Sequence, residues 1–150
     1  MKFLCDQMLG TLAKWLRIIG YDTAYAKGGN DNEIIVKADE EKRVLLTRDK
    51  ELHSRYKNSV FIDSTELEEQ IKKVITSLNI KINEKNYLSR CTVCNTPVIK
   101  ISKEEVRGKV PPHAYENHEE FRICPNCKRI YWLGTHWENM KQFIEKLKDE

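Results

Sequence analysis

No apolar run in these 150 residues approaches the roughly 20 that a membrane-spanning helix needs, which excludes an integral helical membrane protein. The opening Met1-Lys2-Phe3-Leu4-Cys5-Asp6 meets an acid too early for a secretory signal, so the expected location is the cytoplasm. Charge of one sign is lacking as well. The net charge is +3, with +1 over residues 1–88 and +2 over residues 89–150, so neither half is a polybasic module and any nucleic-acid contact must come from a local patch. There is no G-x-G-x-x-G and no Walker A pattern, and Lys27-Gly28-Gly29-Asn30 is too short a glycine loop to replace them. Internal repeats and low-complexity segments are absent too.

What is present alternates between strand and helix. Lys2–Cys5 reads as a short buried strand that delivers Asp6 at its end. Met8, Leu9, Leu12, Trp15, Leu16 and Ile19 then recur at helical spacing, with Gly20 where a stop is expected. Thr23–Ala26 predicts a second strand. A second helix follows from Asn30 or Asp31, burying Ile34, Ile35 and Ala38. Arg43–Thr47 predicts the third strand, Asp49–Arg55 a short third helix and Val60–Ile62 a fourth strand. Next comes a helix with Leu67, Ile71, Val74, Ile75 and Leu78 on one face, which Ser64 or Thr65 can cap, Glu68 standing at capping-box spacing from Thr65. This alternation implies a mostly parallel sheet with helices packed on it, an α/β domain over residues 1–80. Residues 81–89 read as a linker. Residues 90–150 read as a loop-rich metal module without a convincing helix between 95 and 123, then a strand over Arg129–Leu133 and an amphipathic helix carrying Trp137, Met140, Ile144 and Leu147.

Four of the five cysteines form two pairs, Cys91-x-x-Cys94 and Cys124-x-x-Cys127. Each pair makes a turn that offers two thiolates to one ion, and two such turns complete a closed tetrahedral zinc site that holds structure and does not activate water. His118-Glu119-Glu120 near Cys124-Pro125-Asn126-Cys127 superficially resembles a zinc deaminase. However, Pro125 follows the first cysteine when it should precede it, and Cys91 and Cys94 would have no role. Cys5 reads as a small buried hydrophobe, and His53 and His136 as structural.

A second constellation is acidic. Asp6, Asp49 and Asp63 follow predicted strands, and Asp31 or Glu33 opens the second helix. Parallel strands bring their carboxyl ends to one edge, where ligands bind in open α/β sheets. Converging carboxylates suit Mg²⁺ or Mn²⁺, ions that promote phosphodiester cleavage. Capping accounts for the same residues: Asp6 for the first helix, Asp49 for the third, Asn30 with Glu33 for the second, and Asp63 as a turn residue. Lys14, Arg17 and Arg48, with Arg90, Arg122, Lys128 and Arg129 around the cysteine turns near Tyr131 and Trp132, suit phosphates and bases. Equally they suit a solvated face and a cover for the zinc.

Four stretches together resemble a family. They are Asp6-x-Met8-Leu9-Gly10-x-Leu12-Ala13-x-Trp15-Leu16-Arg17-x-x-Gly20-x-Asp22-Thr23, then Arg43-Val44-Leu45-Leu46-Thr47-Arg48-Asp49-x-x-Leu52, and lastly Ser89-Arg90-Cys91-x-x-Cys94-Asn95 with Cys124-x-x-Cys127-x-x-x-Tyr131-Trp132-x-Gly134-x-His136. They are similar to the PIN-like ribonuclease domain with a C-terminal zinc ribbon, the family named after the C-terminal part of a mutator exonuclease. The resemblance runs through nearly the whole chain. It implies a PIN-like parallel sheet whose acidic edge binds Mg²⁺ or Mn²⁺ through Asp6, Asp31 and Asp49 and cleaves RNA, with Thr47 or Arg48 orienting a carboxylate or a phosphate. It further implies a structural Zn²⁺ on Cys91, Cys94, Cys124 and Cys127. The expected RNA contacts are Arg17, Arg48, Arg90, Lys128, Arg129 and Trp132. The alternative is a catalytically silent adaptor whose ribbon binds RNA or a ribonucleoprotein.

Overall fold

Alternation within short strands decides the layering. The computed structural model describes residues 1–148. Its first part runs β1 (Lys2–Cys5), α1 (Gly10–Ile19), β2 (Asp22–Tyr25), α2 (Asp31–Glu40), β3 (Val44–Thr47), α3 (Lys50–Arg55), β4 (Ser59–Phe61) and α4 (Leu67–Leu78), with a 3-10 turn at Gln7–Leu9. The strands form one parallel sheet in the order β2-β1-β3-β4. Successive side chains on a strand point to opposite faces. Phe3 and Cys5 with Val44 and Leu46 therefore join Val60, Ile62 and the apolar faces of α1 and α4 in one buried cluster. Leu4 and Leu45 join Ala38 of α2 and Leu52 of α3 in another. The expected α/β sheet with flanking helices is present as three layers, and Ile34 and Ile35 of α2 are only half-buried.

Chain punctuation explains several boundaries. At the end of α1, Gly20 has φ +116° and its N–H reaches the Leu16 and Arg17 carbonyls. A Cβ there would sit 2.6 Å from the Asn86 carbonyl oxygen, so both the left-handed conformation and the close approach require glycine. Asn30 caps α2, its Oδ1 accepting from the Glu33 N–H at 2.9 Å while its amide reaches the Glu33 carboxylate at 3.4 Å. The expected Thr65–Glu68 box does not form. The N-cap of α4 is Glu66, with no side-chain cap bond, and the Ser64 hydroxyl instead accepts from the Glu66 N–H in the preceding turn.

The second part has an antiparallel sheet β5-β6-β7 made of β5 (Ile99–Ile101), β6 (Phe121–Ile123) and β7 (Ile130–Tyr131). Contrary to expectation, residues 95–123 include two short helices, α5 (Lys103–Val106) and α6 (Pro112–Asn117). Ser102 caps α5 and Pro112 opens α6, so local end signals build helices too short to show a hydrophobic period. The last helix, α7 (Thr135–Lys148), places Trp137, Ile144 and Leu147 in the same buried cluster as α1 and α4. Tyr87 and Leu88, from the stretch read as a linker, lie in it as well. Among the described residues no helix is long and apolar enough to cross a membrane.

Candidate active edge and metal centre

Asp6 stands one residue beyond β1, and its backbone is still part of the sheet through an N–H bond to the Leu46 carbonyl at 3.1 Å. Only 6% of it is exposed. Its Oδ2 accepts from the Thr47 hydroxyl at 2.6 Å and the Arg48 N–H at 2.9 Å, and its Oδ1 from the Met8 N–H at 2.9 Å. Three donors to one carboxylate fix its orientation. The fully buried Thr47 also accepts from the Asp49 N–H at 3.0 Å, so one hydroxyl ties the two strand-end acids together. Asp49 is exposed and its Oδ1 caps α3, accepting from Glu51 and Leu52. Arg48 lies beside them with a buried Nε that finds no partner among the described residues.

Asp31 also follows the carboxyl end of its strand, at the start of α2, but it faces α3. Its carboxylate lies 3.5 Å from the Arg55 guanidinium, which also bonds Asn32. Glu33 serves the Asn30 cap, and Asp63 is exposed after β4. Among the described residues, a close group of three or more metal-ligating side chains occurs only at Cys91, Cys94, Cys124 and Cys127. Asp6 and Asp49 are joined through Thr47 by hydrogen bonds, and with Asp31 they make no close group of three ligands among the described residues.

The four cysteine sulfurs lie within 4.8 Å of one another, with Cys91–Cys127 at 3.6 Å and Cys94–Cys124 at 3.3 Å. Zn–S bonds of about 2.3 Å in a tetrahedron separate sulfurs by roughly 3.8 Å, so the four thiols can hold one such ion. The two turns repeat one design. Asn95 N–H bonds the Cys91 carbonyl and Lys128 N–H the Cys124 carbonyl, and both residues take positive φ, 66° and 68°. Cys94 and Cys127 each turn an N–H toward the first sulfur of their own pair at 3.5 Å. The Tyr131 hydroxyl lies 3.1 Å from the Cys91 sulfur and accepts from the Thr92 N–H, so this aromatic covers the cysteine cluster. Asn126, then the neighbouring thiols, pull the Cys94 thiol down to about 6. Although the Arg129 N–H favours the Cys127 thiolate, burial and the other three sulfurs push that thiol up to about 11. One thiolate forms readily, and the crowding of four is what a cation relieves. Cys5, fully buried, is pushed well above an ordinary thiol by burial.

Two of the expected RNA-contacting arginines have other partners in the structure. Arg17 is buried, and its guanidinium donates to the Thr23 carbonyl at 2.8 Å and to the Thr92 and Val93 carbonyls of the first cysteine turn, both at 3.0 Å. Arg90 donates to the Asn95 carbonyl and lies 3.9 Å from Asp22. Asn95 accepts from Thr23 N–H and donates to Asp22 at 2.6 Å. Against the cost of burial, Arg43 and Asn95 hydrogen bonds hold the Asp22 carboxyl below its usual range. These contacts fasten the first turn to β2, a role that no local pattern in the sequence announces. Lys128 and Arg129 are exposed and Trp132 half-exposed. His53 bonds Ser59 and stacks near Phe61, as a structural histidine would.

The chain is 27% identical over 145 residues, 91% of its length, to a human protein described as an exonuclease mut-7 homolog. It spans 14% of that relative's length. Residues 1–144 match the family described as the Mut7-C RNAse domain, and the chain belongs to that family.

Proposed function

We propose that this chain is a cytoplasmic, metal-dependent ribonuclease of PIN-like fold that cleaves phosphodiester bonds at the Asp6–Asp49 edge. The observation that carries the reading is Asp6: a buried carboxylate held by three donors at the carboxyl end of a central parallel strand, with Asp49 joined to it through Thr47. An all-oxygen donor pair of this kind fits Mg²⁺ or Mn²⁺, which commonly rest on one or two carboxylates, water and substrate phosphate. When bound, such an ion lowers the pKa of water and offsets charge on the reacting phosphate. Asp6 fixes the position of the edge, and Asp49 contributes an oxygen not used in capping α3. Asp31 would join after exchanging Arg55 for the ion. Arg48, whose buried Nε has no partner among the described residues, would turn its guanidinium to a phosphate oxygen. A structural zinc on the four cysteines keeps the ribbon folded, and Lys128, Arg129 and Trp132 offer the exposed contacts to RNA. Purified protein supplied with Mn²⁺ is expected to cleave single-stranded or structured RNA in a chelator-sensitive way, and Asp6→Asn and Asp49→Asn are expected to lose that cleavage. Cleavage that persists in both variants would refute the assignment.

Asp31 pairs with Arg55 and the three acids form no close ligand group among the described residues, which favours one rival, an RNA-binding or ribonucleoprotein-binding adaptor with a silent edge. It predicts salt-dependent RNA binding that Asp6→Asn leaves unchanged and no cleavage product under any divalent ion.

A further inference from the structure

Two cavities meet at Tyr131 and Trp132. One, of about 520 Å³, opens between α1, α6 and the start of α7, and Lys14, His113, His118 and His136 line it beside the two aromatic rings. The other, of about 530 Å³, shares Thr92, Ile130, Tyr131 and Trp132 with the first and adds Lys109, Lys128 and Arg129. The chain has 23 acidic residues, yet among the described residues neither cavity is lined by one. A third space against Trp132, of about 290 Å³, is lined by Glu84 and Glu120, so the acid-free character belongs to particular sides of that ring. Three of the four histidines line the first cavity, and they form no metal-ligating group among the described residues, which leaves them free to hydrogen-bond and stack. Gly134 keeps the space open: a Cβ there would lie 3.0 Å from the Trp132 indole nitrogen and 3.7 Å from His118 Nε2.

We propose that the two cavities form one groove for single-stranded RNA, which seats an unstacked base among the histidines and Trp132 and leads its phosphates past Lys109, Lys128 and Arg129. The inference rests on the ribonucleic-acid reading above and gives it a substrate class. Either cavity has the volume of an ordinary small-ligand site, enough for a nucleotide. Aromatic faces take bases of any kind, and a carboxylate-free basic wall takes the backbone. Duplex RNA hides its bases in the stack and cannot fill the histidine side. Lys14 lies about one turn, ~6 Å, into the helix that begins four residues after Asp6, so the groove borders the element that starts at the acidic edge.

The test uses the full zinc-loaded chain carrying Asp6→Asn, so that bound RNA stays intact. Fluorescence anisotropy measures binding of an eight-nucleotide single strand and of a duplex of the same length. Preferential single-strand binding is expected. Lys109→Glu with Lys128→Glu, both at exposed positions, should weaken it at least tenfold and lower the slope of log affinity against log salt by about 1.4, near 0.7 per phosphate contact. His113→Ala with His136→Ala, also exposed, should weaken it severalfold at low and high salt alike. Zinc content and circular dichroism confirm folding of each variant. Unchanged affinity in both variants, or equal binding of duplex and single strand, overturns the groove. Wild-type cleavage alongside unchanged variant binding overturns the groove and leaves the ribonuclease reading standing. Variant-sensitive binding by a wild-type chain that cleaves nothing supports the groove and removes the catalytic reading.

Discussion

Thr47 makes two bonds with one hydroxyl, giving its proton to Asp6 and taking one from the Asp49 amide. Thr47→Val keeps the shape and removes both bonds inside a fully buried site. A buried group left without its partner costs about 1–3 kcal/mol, so urea unfolding should show a loss of that size, while Thr47→Ser should restore most of it. If the edge is catalytic, cleavage by Thr47→Val should fall by about 10–100-fold, the usual effect of removing a group that orients a ligand. Asp6 and Asp49 were legible in the sequence because each closes an apolar strand, and strand ends share an edge in a parallel sheet. Asp49 also shows how far one signal can carry two meanings, since its Oδ1 caps α3 as an ordinary helix-capping residue does. Arg17 was misleading for a physical reason. A guanidinium on a helix looks solvated until distant backbone carbonyls arrive beside it, and two of its three partners are 75 and 76 residues away.

At the scale of elements, the first cysteine turn and β2 behave as one piece. β2 is an edge strand, and Arg17 and Asn95 occupy the Thr23 carbonyl and N–H that its open side would otherwise expose, which also guards the edge against pairing with another chain. Arg17→Met would leave three carbonyls without their charged donor. A destabilisation of about 3 kcal/mol is expected by urea unfolding, from hydrogen bonds to a charged group. The metal ligands are untouched, so metal analysis should still return one zinc per chain; a matching loss of zinc would place Arg17 in the metal centre's own support and not in its docking. The parallel strands and the longer helices were legible from their apolar pattern, and the two cysteine turns from their spacing. The helices α5 and α6 were not, because four and six residues are too few for an amphipathic period and only their capping residues betray them. The Thr65–Glu68 pair is the converse case, a capping pattern in the sequence that the α4 backbone begins too late to use.

At the scale of the whole molecule, chemistry and packing divide the chain differently. The cysteine-bearing part follows the sheet in sequence, yet α7 returns from it to cover α1. Trp15 and Phe143 sit with ring centroids 4.8 Å apart, and Trp137 meets Tyr87 edge-on at 5.6 Å. Zinc chelation is therefore expected to lower the unfolding midpoint of the sheet along with that of the ribbon, in one transition followed by both tryptophan fluorescence and far-ultraviolet dichroism. Ending the chain after Gly134 is the sharper experiment, because it keeps every cysteine and every strand while deleting Trp137, Ile144 and Leu147, which are 5%, 0% and 3% exposed. Burial of each such side chain is worth about 1.5–3 kcal/mol, and the sum rivals the roughly 5–15 kcal/mol of net stability typical of a domain. The shortened chain should bind zinc weakly or not at all and should unfold without a cooperative transition. A cooperative, zinc-loaded product of that truncation would show that the sheet and ribbon stand without α7, and that its three buried anchors decorate a core already complete.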